Sequence, residues 1–180
     1  FLMENRSLSP DWEKTVKNIF NWVYDSLTDN RYAKYGVKVI DEQTAYRQPG
    51  NSHSSRQASM ELLYWKLTGD TTYVRNAVKM LNWATYMVDY DGKNFYPTND
   101  IWLTDGYGDY TRHYLRAMAA CPQLAPDNSD HLLQSSSVIK NITYAPDKIT
   151  YTTFDSVSNE VLRLQSKPAA IKVNGKTLNE

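Results

Sequence analysis

The periodicity of the chain changes near Pro126, and that switch limits the fold more than any other feature. Upstream, apolar residues recur every three or four positions: Trp12, Val16, Ile19, Phe20, Val23 and Leu27 share one helical face. Ser9-Pro10-Asp11 opens this run with a cap hydroxyl, a proline suited to the first helical position and an acid against the helix dipole. A helix is therefore predicted over residues 9–27. A second is predicted over residues 54–67, stopped by Gly69. A third is predicted over residues 71–88, capped by Asp70, with Tyr73, Ala77, Met80, Leu81, Ala84 and Val88 on one face. Joined by Thr68-Gly69-Asp70, these two read as an antiparallel hairpin. A fourth helix is predicted over residues 109–120, closed by Cys121-Pro122.

Downstream the chain breaks into short β-rich runs, "SSVIKNITY", "KITYTTF", "EVLRL" and "AAIKV", separated by Ala-Pro-Asp, Asp-Ser and Lys-Pro, with a tight turn at Asn174-Gly175. Helices first and strands afterwards is the signature of segregated domains, not of alternating βαβ units. The predicted division is 1–128, helical, and 129–180, antiparallel β. Between the first two helices, residues 31–54 have no helical period. Val37, Val39 and Ile40 fit a short extended segment, and Gln48-Pro49-Gly50-Asn51 a turn. A connection this long is often functional.

Charge narrows the partners. Twenty basic and twenty acidic residues leave no net charge, hence no electrostatic footprint for nucleic acid or an anionic membrane. No apolar run is long enough to span a bilayer, and no N-terminal export signal is visible. One cysteine, Cys121, excludes an internal disulfide framework. The compartment stays open, with export fitting better than the cytoplasm. The chain begins Phe1-Leu2-Met3-Glu4, as the middle of an element would, so an upstream part of the same chain is expected. Fourteen Tyr and five Trp against four Phe give flat apolar faces with polar handles. For any one of them the seam between helices is the commoner place, and together they also suit sugar rings.

With "LTGDTTYVRNAVKMLNWATYMV" in view, the chain resembles the six-hairpin glycosidase group of (α/α) toroids, which includes glycoside hydrolases and polysaccharide lyases. In that group such turns join paired helices repeatedly, and a β-sandwich often follows; "LRLQSKPAAIKVNGKTL" looks like one of its closing hairpins. The resemblance implies a mainly α fold, the last part of a toroid followed by a small antiparallel β domain. It transfers no catalytic residue.

Three segments collect reactive groups at helix starts or in irregular chain. In "DGYGDYTRH", Gly106 and Gly108 permit turns that lift Asp105 and Tyr107 away from the helix. Asp109 fits the helix cap, and His113 lies one turn later, within reach of Asp109 or of a hydrogen-bonded core; both are also candidates to contact substrate. Arg112 and Arg116 read as an ion-paired surface. Trp102 is placed to stack on a sugar. In "NSHSSR", His53 sits where an acid–base group can titrate and Arg56 can hold a carboxylate, unless the serines only cap the helix around them. Glu42 is an acid in a moderately apolar loop, where burial would suit it to a proton-donating role. No metal or cofactor is expected: the three histidines lack ligand spacing, "DYDGKN" departs from a calcium loop, and no phosphate-cradling glycine loop is present.

These residues point to a carbohydrate-active enzyme acting on a poly- or oligosaccharide. The leading expectation is glycoside hydrolysis by Asp105 with Glu42 or an upstream acid. The alternatives are a uronate lyase, with Tyr107 or His53 as base and Arg56 on the carboxylate, and a non-catalytic glycan-binding or scaffolding module.

Overall fold

The structure is a computed structural model and describes residues 1–88, 107–125 and 127–178. The chain divides into two compact units, Phe1–Cys121 and Pro122–Glu180.

In the first unit, α1 spans Trp12–Leu27. It starts later than Ser9 because Ser9 and Pro10 lie in the preceding turn, where the Ser9 carbonyl accepts the Trp12 N–H at 3.3 Å. Directly after α1, β1 (Thr28–Asp29) pairs antiparallel with β2 (Val39–Ile40), aligning Thr28 with Ile40 and Asp29 with Val39. A 3-10 turn, Asn30–Tyr35, closes the connection and ends on Gly36 at φ 67. That left-handed geometry suits glycine. The extended segment expected around Val39 is present; the 3-10 turn was not anticipated.

The next helix, α2, runs Asn51–Thr68, three residues ahead of its predicted start. The serines do not cap it. Ser54 Oγ instead accepts the Ile40 N–H at 3.1 Å, and Ser55 Oγ donates back to the Asn51 carbonyl at 2.7 Å. Gly69, at φ 77, stops the helix by donating its N–H to the Trp65 carbonyl at 2.7 Å. Asp70 does not cap α3, which spans Val74–Tyr86. Its carboxylate accepts the Thr72 N–H and hydroxyl and pairs with Lys17 Nζ at 2.7 Å, so it is held in the turn, away from the helix end. α4 runs Tyr107–Ala120.

α2 packs against both α3 and α4, and α1 meets its far half through an aromatic cluster. There Phe20 lies edge-on to Tyr64 (5.8 Å) and Tyr73 (5.2 Å), and Trp12 edge-on to Tyr64 (6.1 Å). Such pairs add about 1 kcal/mol each to burial.

The second unit holds three antiparallel pairs. β3 (His131–Ser135) pairs with β6 (Glu160–Arg163), with an irregularity between Leu132 and Gln134. β4 (Ile139–Ala145) turns through Pro146-Asp147 into β5 (Lys148–Thr153). β7 (Lys172–Val173) and β8 (Lys176–Thr177) flank Asn174-Gly175, at φ 50 and 79, the two-residue turn expected for Asn-Gly. No described side chain of this unit is buried.

The mainly α, toroidal expectation is overturned. Helix makes up 45% of the structure and strand 21%, the strand in small separate two-stranded sheets, so this is a mixed α/β protein. Two physical features produce the difference. Residues 28–40 form a strand pair inside the helical unit, and one helix, α2, is sandwiched between α3 and α4 where a toroid would continue adding hairpins.

Candidate functional site

α2 carries the unusual chemistry. It has almost no apolar–polar asymmetry, yet Asn51, Ser52, Ser54, Ser55, Gln57, Ser59 and Glu61 are all buried. Buried polar atoms must find partners, and most of these do. Asn51 Nδ2 donates to the Ala84 carbonyl at 3.1 Å, Ser59 Oγ to the Arg56 carbonyl at 2.8 Å, and Gln57 Nε2 to Glu61 Oε1 at 2.9 Å.

The residues singled out from the sequence are partly brought together. Arg56 Nε donates to His113 Nε2 at 3.2 Å, joining α2 to α4. His113 is 2% exposed; burial first, then the charges of Arg56, Arg112 and Arg116, lower its pKa to about 4. It is thus a neutral imidazole, accepting on Nε2, with Nδ1 left unpartnered among the described residues. Asp109 falls in the first turn of α4, not at its cap, because the helix begins two residues earlier. It pairs with Arg112 at 2.5 Å and not with His113. His53 is half-buried in the first turn of α2, its Nδ1 3.4 Å from Ser52 Oγ. Glu42 donates its N–H to the Gln48 carbonyl at 2.8 Å, and its Oε2 is buried without a hydrogen-bond partner among the described residues. Asp105 and Trp102 lie outside the described residues, as does the side chain of Tyr107.

A groove that the sequence does not single out is formed by α1, the connection after it and the start of α3. It is open, with a volume of about 910 Å³. Its walls include Asn21, Tyr24, Asp25 and Thr28 of α1–β1, Ala33, Gly36 and Lys38 of the connection, and Tyr73, Arg75, Asn76 and Lys79. Tyr24 and Tyr73 lie nearly parallel, 6.2 Å apart, and Lys38 Nζ stands 4.8 Å from the Tyr24 ring centre. Asn76 braces the groove: its Oδ1 accepts the Lys38 N–H at 2.9 Å, while its Nδ2 donates to the Lys38 carbonyl at 3.3 Å and to the Tyr24 hydroxyl at 3.0 Å.

Behind Tyr24 lies Glu61, 1% exposed. Burial pushes its carboxyl up to about 7, against the opposing influence of Tyr24, Gln57 and Lys38. The Tyr24 hydroxyl is close enough to affect that proton but makes no well-formed hydrogen bond with it, and Oε2 has no partner among the described residues. Burial, and then the charge of Glu61, hold the Tyr24 phenol well above its ordinary range. A carboxyl titrating near neutrality beside a groove is a recognised mark of a functional site.

A second carboxyl pair, Asp29 and Asp41, belongs to the β1–β2 region. Burial would raise Asp29, but hydrogen bonds from Arg31 outweigh it and hold the carboxyl low. Asp41 is raised, first by burial and then by Asp29, with Arg47 opposing. Each acid has its own arginine, so the pair reads as a brace for the connection.

No family model, curated protein or solved structure matches the chain. Signals for the groove were present but faint. Gln57 and Glu61 stand four apart in a helix with no polar face to spare, and Asn76 interrupts the apolar face of α3.

Proposed function

We propose that the first unit engages carbohydrate in the groove between α1 and α3. The observation that supports this is the lining itself, a combination of tyrosine rings, amides and threonines in an open cleft of about 910 Å³. Such a mixture of apolar surface with a few fixed polar groups is the usual make-up of a small-ligand site. Affinity electrophoresis of the full chain through gels containing soluble polysaccharides tests this reading. Retardation by at least one polymer is expected, and Ala33→Trp, which fills the groove from an exposed position, should abolish it. Free migration in every gel, or equal retardation of the variant, refutes the proposal.

One observation favours a catalytic reading of the same groove. A carboxyl held near 7 is matched to proton transfer at neutral pH, and Glu61 stands directly behind the groove-lining Tyr24. In this reading Glu61 acts through Tyr24: the phenol gives its proton to the glycosidic oxygen and is reprotonated by Glu61 once the two side chains close to hydrogen-bonding distance, with the lining carboxylate Asp25 as the second acid. Glu61→Gln should then retain polysaccharide binding and lose reducing-sugar release; unchanged release removes Glu61 from the chemistry.

A further inference from the structure

The groove's hydrogen-bonding capacity is unevenly spent. Asn76 uses both ends of its amide on Lys38 and Tyr24. The Tyr73 hydroxyl donates to Asn21 Oδ1 at 3.0 Å, Thr28 Oγ1 to the Tyr24 carbonyl at 2.6 Å, and Thr72 Oγ1 to Asp70 at 2.5 Å. The neutral polar groups are therefore largely satisfied within the protein. What remains for a ligand is mainly positive: Lys38, whose ammonium stands over the Tyr24 ring and also acts on the buried Glu61 carboxyl, Arg75, and the further protons of Lys79, which gives one to the Gly36 carbonyl at 2.7 Å; Asp25 and Asn30 are the exceptions. Elsewhere in the unit, Lys17, Arg31, Arg47 and Arg112 are matched to Asp70, Asp29, Asp41 and Asp109. Among the described residues, none of the three groove cations has such a match.

The imbalance is local. The chain has twenty residues of each sign, yet the lining holds three cations and a single carboxylate, Asp25. A concave surface of one sign concentrates the opposite charge. We infer that the groove selects an acidic saccharide, one whose sugar units carry carboxylates, seated among Lys38, Arg75 and Lys79. A uronate fits because its carboxylate is attached directly to the ring carbon. Its carboxylate then reaches Lys38, held over the Tyr24 ring at 4.8 Å, while the sugar ring stays in the groove beside it. Arg75 can take a carboxylate in its planar fork. This inference rests on the carbohydrate reading above and adds the ligand's charge to it.

The experiment is calorimetric titration of the full chain with three probes: a galacturonate hexamer, the same hexamer fully methyl-esterified, and a neutral xylose hexamer. Esterification removes the charge and keeps the ring. The free acid should bind at least tenfold more tightly than its ester, and its affinity should weaken severalfold between low and physiological salt. Arg75→Gln and Lys38→Gln should each weaken it threefold or more. Arg75 is exposed, so its variant serves even if Lys38→Gln disturbs the packing on Tyr24. Equal affinity for acid and ester, tighter binding of the neutral hexamer, or full affinity in both variants overturns the acidic selection while leaving carbohydrate binding intact. No binding of any probe, together with free migration in every polysaccharide gel, removes both.

Discussion

Replacing Glu61 with Gln removes an ionisable proton from the centre of the first unit while keeping the carbonyl oxygen that accepts from Gln57 at 2.9 Å. The effect on stability follows from where the carboxyl titrates. In the unfolded chain it loses its proton near 4.5, and in the folded chain near 7. Between those values the folded state holds more protons, so this group's contribution is complete below about pH 4.5 and is lost as the pH rises through 7. The distance from 4.5 to about 7 corresponds to about 3 kcal/mol. His113 acts in the opposite direction, because its lowered pKa favours the folded state above 6.5 and withdraws that support as the pH falls toward 4. The useful quantity is therefore the difference between the variant and the natural chain, from which His113 cancels. Urea unfolding at several pH values from 4 to 8.5 should show Glu61→Gln gaining on the parent as pH rises, by about 3 kcal/mol across the range. A difference that stays constant with pH would mean that Glu61 is solvated or paired in the folded protein, and the account of a buried carboxyl behind Tyr24 would fail.

Other expectations follow from burial and turn geometry. Leu62, fully buried in α2, should cost about 3 kcal/mol on replacement by Ala, read from the urea midpoint. Cys121 is buried, its Sγ donates to the Leu62 carbonyl at 3.3 Å, and burial pushes its thiol up to about 11. It should resist Ellman's reagent at pH 8 in the native chain and react promptly in urea; fast native reaction would contradict its placement. A peptide of residues 122–180, made of two-stranded pairs with no buried side chain among the described residues, should show no cooperative thermal transition by circular dichroism.

The helices were legible because their apolar faces recur at helical spacing. Val16 and Phe20 in α1 and Ala77, Met80, Leu81 and Ala84 in α3 are buried as that spacing requires. The ends were less legible. Asp70 looks like a cap and is held instead by Lys17 and Thr72, partners that exist only in the folded chain. Arg56 and His113 were both marked as reactive, but fifty-seven positions separate them, and only the packing of α2 on α4 turns them into a hydrogen-bonded pair. Glu61 was passed over because it reads as an ordinary acid in a helix. Nothing local reveals that α1 will close over it and leave it nearly without water. Local spacing reports faces, whereas an ionisable group's environment is set by what arrives from elsewhere in the chain.

Asn76 has one more consequence. Its side chain takes the Lys38 N–H and returns an N–H to the Lys38 carbonyl, as an adjacent strand would. A helix thereby grips both backbone polar groups of one residue of the connection, and one jaw of the groove is latched to the other. Widening the groove requires these bonds to release, along with the Lys79 bond to the Gly36 carbonyl. The Lys38 amide becomes a clock for that event: on an exposed residue just ahead of a two-residue strand, its exchange with deuterium should be slow and should quicken only when the latch opens.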